Sequence, residues 1–466
     1  MHLKPSDQHE VFKGCVYVRD SHKILVQGGT MLAQGQFDAS FGGYIFDLNK
    51  DGTKTTDSAW NCFTKSQAIK FPRADSLCFR PECEPCSVID ENGILLANSW
   101  WPITTKRAKG DPKPLIDHIE KMLPDQTDRD ILIHWMAALV QNQGKKFQWA
   151  PVLQGIEGNG KSMLIACLVQ CIGQKYVHTP NVSDFAKSGG KFSGWIQNRL
   201  LIGMEEVYLG GDRSVLDVLK PMITNTIIES QKKGIDQITV ENRANFMFCT
   251  NYKDAIGKTA TDRRYAIFYT AQQYLGDLQR DGMTGNYFPR LWDWLRDGGY
   301  AIVNDYLHEY PMIDALNPAK DCVRAPITSS TREAIFTCRT EEEQAIMDAI
   351  EEGQWGFRGG WLSNRAIERW MKANKIRQNY RKRLDLIQSI GYVEHPFLYN
   401  NNGRVHVRFE EGYLGFGNPK LYLRRGHPAL QLKDNADITQ HYLRAQGDHK
   451  YNDRILQKIR SDEKAA

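Results

Sequence analysis

The sequence predicts an α/β fold, and three observations carry that prediction. Between residues 148 and 270, short apolar segments alternate with helical ones, the pattern of strands covered by helices. The first apolar segment, Pro151-Val-Leu-Gln, runs into Gly155-Ile-Glu-Gly-Asn-Gly-Lys-Ser162 and then into Met163-Leu-Ile-Ala-Cys-Leu-Val, a glycine-rich turn between a strand and a helix. Two later apolar runs, Leu200–Met204 and Asn245–Thr250, end in polar groups, Glu205-Glu206 and Asn251.

The flanking elements follow in chain order. Residues 1–112 read as a small β-rich domain of short strands and turns, with strands at Cys15-Val-Tyr-Val and Gly43-Tyr-Ile-Phe and an end marked by Pro112 and Pro114. Residues 113–147 read as a helical collar or oligomerisation segment. Its apolar positions (Ile116, Ile119, Met122, then Ile131, Ile133, Trp135, Met136, Leu139) have helical spacing broken at Pro124. The core, 148–312, closes with helices around Leu291-Trp-Asp-Trp-Leu and Tyr300–Leu307. Residues 313–335, with Pro318 and Pro326, read as a linker. Residues 336–466 read as helices followed by a strand pair turning at Asn400-Asn-Asn-Gly403. There Gln378–Ile390 is an amphipathic helix whose basic first half holds Arg381, Lys382 and Arg383, and Arg404 and Arg408 flank the turn. Together they predict a winged-helix-like domain that lays a helix on DNA; a merely solvated basic face is the plain alternative.

Composition bounds the function. The 466 residues are 41% apolar with a net charge of only +5, so a nucleic-acid surface must be local rather than the whole exterior. No run of about eighteen apolar residues exists, and the start lacks an apolar signal region. Ten scattered cysteines fit a reducing cytoplasm. Cys83-Glu-Pro-Cys86, with Cys78 nearby, is a lone C-x-x-C. Cys62 could complete a four-ligand set, and ordinary thiols are the simpler account.

The chemistry sits in the core. In the glycine-rich loop, Gly155, Gly158, Asn159 and Gly160 let backbone N–H groups wrap phosphates, Lys161 meets the terminal phosphates and Ser162 holds Mg²⁺. The expected cofactors are ATP and Mg²⁺. Of the adjacent acids, Glu205 is assigned to the metal and Glu206 to activating water. Asn251 is placed to position water without competing for the metal; an amide capping a strand end is the plain alternative. Arg263 and Arg264, just before the next strand, could reach across a subunit boundary to a transferring phosphoryl group, and spacing does not choose between them. Between the acid and amide strands, Lys232-Lys-Gly234 is flanked by two β-like runs. That is a hairpin whose lysines would meet DNA phosphates.

The order of these motifs, packed into about 110 residues, resembles superfamily 3 helicases, and within them the phage and plasmid members of the poxvirus primase-helicase-like group. Leu153–Ser162, Lys232-Lys-Gly234 and Asp262-Arg-Arg264 carry the match. The resemblance implies an AAA+-like core, a hexameric ring, Mg-ATP hydrolysis, 3′-to-5′ movement on single-stranded or forked DNA, and a hairpin pointing into the ring channel. It places the chain in replication of a phage, prophage or plasmid, in the bacterial cytoplasm. Many relatives carry a primase-polymerase domain, but residues 1–112 hold no evident pair of metal-binding acids, so a separate primase or polymerase is the expected partner. A small-molecule kinase would not need the Thr-Asn strand end or the arginine pair. A replication initiator using ATP only as a switch is the alternative that remains.

Overall fold

The computed structural model describes residues 1–180, 194–207, 213–230, 238–259, 262–337, 341–376, 383–401 and 419–447. They form two compact units, Met1–Gly257 with Arg263–Ala334, and Lys258–Asp262 with Ile335–Ala466.

The first unit is built on strands β1 (Ala150–Gln154), β2 (Val177–His178), β3 (Leu201–Met204), β4 (Ile227–Ser230), β5 (Ile238–Glu241), β6 (Asn245–Thr250) and β7 (Tyr265–Tyr269). Five of them make one sheet in the order β2-β3-β6-β1-β7, every pairing parallel. Their helices are α1 (Lys113–Met122), α2 (Gln126–Gln141), α3 (Lys161–Ile172), α4 (Arg213–Thr224), α5 (Leu275–Arg280), α6 (Tyr287–Trp294) and α7 (Tyr300–Glu309). A parallel sheet is buried on both faces, which explains why its strands read as nearly unbroken apolar runs. The period of two then sends alternate side chains to opposite cores. Leu153, Met247, Cys249 and Phe268 join the core that holds Leu132, Leu164 and Leu168 of α2 and α3. Val152, Phe246, Phe248 and Ile267 join the core of Leu219, Met222 and Ile223 from α4.

The helical stretch breaks at Pro124 as expected, and Asp125 caps α2 by accepting hydrogen bonds from the Thr127 and Asp128 N–H groups at 2.8 and 3.2 Å. Gln141 at the far end of α2 donates to the Leu307 and Tyr310 carbonyls, both at 2.9 Å, tying α2 to α7. Residues read as a linker pack along the β7 side of the sheet. Trp149 Nε1 donates to Cys322 O at 2.8 Å, and Ser330 Oγ accepts from Tyr269 N at 2.8 Å. Cys322 and Ala334 of this segment are also buried, each in one of the two cores that flank the sheet.

β4 and β5 pair antiparallel, Ile227 opposite Glu241 and Ser230 opposite Ile238. The tip with Lys232 and Lys233 lies outside the described residues. The hairpin base is tied to the N-terminal block by Arg80, which bridges Glu91 and Glu241, and by Arg243 to Glu82 at 2.9 Å.

The N-terminal block departs from strands and turns alone. Its short sheets alternate with helices at Pro5–Val11, Gln34–Phe41 and Ala59–Lys65 around a core of Phe12, Phe37, Phe46, Phe63 and Phe71. Helices of seven or eight residues show too few turns for a period to register against that aromatic density.

In the second unit, helices α8 (Glu341–Glu351), α9 (Asn364–Ala373), α10 (Arg383–Ser389) and α11 (Asn435–Ala445) accompany strands β8 (Trp361–Ser363), β9 (Tyr392–Glu394) and β10 (Leu421–Arg424). The sheet order is β8-β10-β9, both pairings antiparallel. Pro396–Asn401, read as the run into the turn at 400–403, is a 3₁₀ turn, and β9 pairs with β10; residues 402–418, where the second strand of that pair would run, lie outside the described residues. Arg404 and Arg408 lie outside the described residues. Among the described residues no helix is long and apolar enough to cross a membrane.

Candidate functional site

Where β1 ends at Gln154, the chain turns through Gly155–Gly160 into α3. Neighbouring strand ends clamp the turn. Gly155 N donates to Thr250 O at 3.2 Å, and Ile156 N to Gln272 O at 2.9 Å. Gly155 has no space for a side chain, since a Cβ there would lie 1.9 Å from Thr270 Oγ1. Gly160 has φ 87°, and its Cβ would meet His118 Nε2 at 2.5 Å. Asn159, fully buried, donates from Nδ2 to Thr270 Oγ1 at 2.9 Å. The loop is therefore held open by its neighbours, with the N-terminus of α3 directed at whatever it encloses.

Lys161 is the centre of this cluster. Its Nζ lies within hydrogen-bond distance of four oxygens: Gly155 O (2.7 Å), Ile156 O (2.8 Å), Asn159 Oδ1 (3.0 Å) and Asn251 Oδ1 (3.2 Å). An ammonium has three protons, so one contact is always shared or released. Burial pulls the Lys161 pKa down to about 8, only partly opposed by the fields of Cys249 and Glu157. The Lys161–Asn251 bond joins the β1 loop to the end of β6, the strand beside it in the sheet.

Glu205 and Glu206 follow β3 and are exposed. They line one cavity of about 390 Å³ together with Lys161, Ser162 and Asn251. Glu206 has φ 53°, a left-handed conformation that costs a non-glycine residue about 1–2 kcal/mol and concentrates at functional positions. The turn after the acids is locked to β6, as Thr250 Oγ1 donates to Val207 O at 2.6 Å and Val207 N to Cys249 O at 3.1 Å. Ser162 and the two carboxylates are hard oxygen donors that fit Mg²⁺. Among the described residues no three His, Cys, Asp or Glu side chains converge to hold a metal. The thiols of Cys62 and Cys86 instead donate to Gln8 Oε1 at 3.3 Å and Val26 O at 3.6 Å.

The remaining sequence-predicted residues lie elsewhere. Arg263 and Arg264 precede β7, whose first residue pairs with Ala150 and whose last pairs with Gln154. They stand at the opposite edge of the sheet from the loop, roughly 16 Å away at about 3.3 Å per residue. Arg263 is exposed, its carbonyl held by Ala325 N at 2.8 Å. Arg383 is corrected as a surface contact: it is buried and its Nη1 donates to Glu368 at 3.1 Å. Arg381 and Lys382 lie outside the described residues. A larger cavity of about 900 Å³ opens at the hairpin base beside Lys146, Asn242 and Arg243 and holds none of the predicted residues.

Sequence reasoning missed the aromatic wall behind the loop. His118 is fully buried, and its Nδ1 lies 3.1 Å from Tyr287 OH. Burial pushes its pKa down to about 4. Phe288 and Trp292 of α6 line the cavity. One signal was available: His118 occupies the buried stripe of α1 with Leu115, Ile119 and Met122, an unusual place for a polar group.

A family model described as a family of unknown function (DUF5906) matches residues 153–264, the stretch from the end of β1 to the arginine pair. The DNA primase-polymerase of Nitratiruptor phage NrS-1 is 24% identical over 186 residues, 38% of this chain and 25% of that protein. The chain thus spans about a quarter of the length of the curated relative it matches. An apo structure of the NrS-1 C-terminal region superposes with a TM-score of 0.55 at 15% identity, covering 84% of this chain and 88% of that one. An A-form apo structure of the same region gives 0.56 at 14%, covering 90% and 100%. The chain is a mixed α/β protein with a parallel sheet, and its fold is similar to that of the NrS-1 C-terminal region.

Proposed function

We propose that this chain is a superfamily 3 type ATPase, a ring-forming helicase or translocase acting on single-stranded or forked DNA in phage DNA replication. The observation that carries the reading is Lys161, buried at the start of α3 and bonded to Asn251 across adjacent strand ends, in one cavity with Ser162 and Glu205-Glu206. The strand order β2-β3-β6-β1-β7 supports it, because loop, acids and amide all leave the same edge of the sheet. The relationship to a phage primase-polymerase supports a replication role.

Bound Mg-ATP supplies the phosphoryl group and the charge that neutralises it. The chain's own residues do the rest. Loop N–H groups and Lys161 bind the phosphates, Ser162 and Glu205 hold the cation, Glu206 orients and deprotonates water, and Asn251 fixes that water's position. Arg263 and Arg264, at the far edge of the sheet, serve the site of a neighbouring copy. Residues 113–147 act as the ring's collar, and the second unit, with its helices and β8-β10-β9 sheet, acts as a winged-helix-like DNA contact through Arg381 and Lys382.

The test is Mg-ATP hydrolysis with and without single-stranded DNA. Strong stimulation is expected. Turnover indifferent to DNA would point to another P-loop enzyme, and slow turnover with weak stimulation to an initiator that uses ATP as a switch.

A further inference from the structure

The cavity at the loop is lined by two chemically distinct sets of residues. Lys161, Ser162, Glu205 and Asn251 form the polar set. The other is aromatic: Phe288 and Trp292, four residues apart on α6 and therefore on one face of it. Both are half-buried, leaving part of each ring open to the cavity. Phe288 is seated against the loop, its Cε1 only 3.0 Å from where a Gly160 Cβ would stand. It is also backed from behind. The Tyr287 ring meets it edge-on at 5.0 Å and the His118 ring at 6.0 Å, with His118 and Tyr287 bonded to each other. Leu291, buried between them in sequence, pins the helix to the core.

We propose that Phe288 and Trp292 are a stacking platform for the nucleobase, so that the polar set holds the nucleotide by its phosphates and the aromatic set by a π-face. This rests on the phosphate-loop reading of the same cavity and adds what that reading leaves open, how the base is held. A polyanion has no favourable contact with the aromatic set, whereas a flat, weakly polar ring does. Stacking also accepts any base, since every base has a π-face. The site therefore takes nucleoside triphosphates with little choice between bases.

The experiment compares Mg-ADP with inorganic tripolyphosphate by calorimetry, in wild type, Trp292→Leu and Trp292→Phe. Tripolyphosphate carries the phosphate interactions and no base. The platform predicts about tenfold weaker ADP binding in Trp292→Leu, in the range of one stacked base. It also predicts tripolyphosphate affinity within about twofold of wild type, and near-complete recovery of ADP binding in Trp292→Phe. The tripolyphosphate arm reports that the variant is folded at the loop. Equal losses for both ligands, or unchanged ADP binding in Trp292→Leu, would overturn the platform while leaving the phosphate site standing. If wild type binds neither ligand, both fail together.

Discussion

At the scale of the residue, Lys161 joins burial to chemistry. Its pKa of about 8, lowered by burial from 10.5, means that the folded chain alone sheds this proton at a pH where the unfolded chain keeps it. Between about 8 and 10.5 stability therefore rises with pH, and the full penalty of the buried charge is present below 8. Phosphates in the loop reverse the preference by favouring the ammonium. Nucleotide binding should take up close to one proton near pH 9 and almost none near pH 6.5, measured by calorimetry in two buffers of different ionisation enthalpy. Lys161→Ala should abolish both the uptake and ATP hydrolysis. Uptake that persists in the alanine variant would assign the proton to another group. The glycine-rich turn between β1 and α3 and the acids after β3 were legible from sequence as polar or glycine-rich ends of apolar runs. The Lys161–Asn251 bond was not, since it depends on β6 lying beside β1.

At the scale of the element, the strands most readily recovered were those buried on both faces. β1, β3, β6 and β7 are apolar runs bounded by polar residues, and each was readable. The two-residue β2 and three-residue β8 were not, because pairing rather than composition makes them strands. The C-terminal basic helix was misread at Arg383 for a related reason: its cation faces inward to Glu368, which a helical wheel cannot reveal. His118 couples two elements that sequence leaves unrelated, packing α1 onto the loop at Gly160. Its folded pKa near 4 lies below the ordinary 6.5. The stability it supports is fully present above pH 6.5 and lost progressively as pH falls from 6.5 to 4, by roughly 3 kcal/mol in all. In denaturant titrations His118→Gln should flatten the decline across that window. An identical pH profile in the variant would remove His118 as its source.

At the scale of the whole molecule, the sheet's polarity divides the labour. Loop, acids and amide leave one edge, and Arg263 and Arg264 stand at the other, roughly 16 Å away at about 3.3 Å per residue. In the proposed ring of identical copies, each copy presents its arginine edge to the next copy's loop. The claim that a working site spans two copies is tested most directly by mixing two inactive variants, Lys161→Ala and Arg263→Ala/Arg264→Ala. A mixed ring contains interfaces where an intact loop meets intact arginines. ATP hydrolysis should therefore reappear on mixing and peak near equal amounts. No recovery at any ratio, with mixed rings demonstrated by native mass spectrometry, would contradict a site shared between copies.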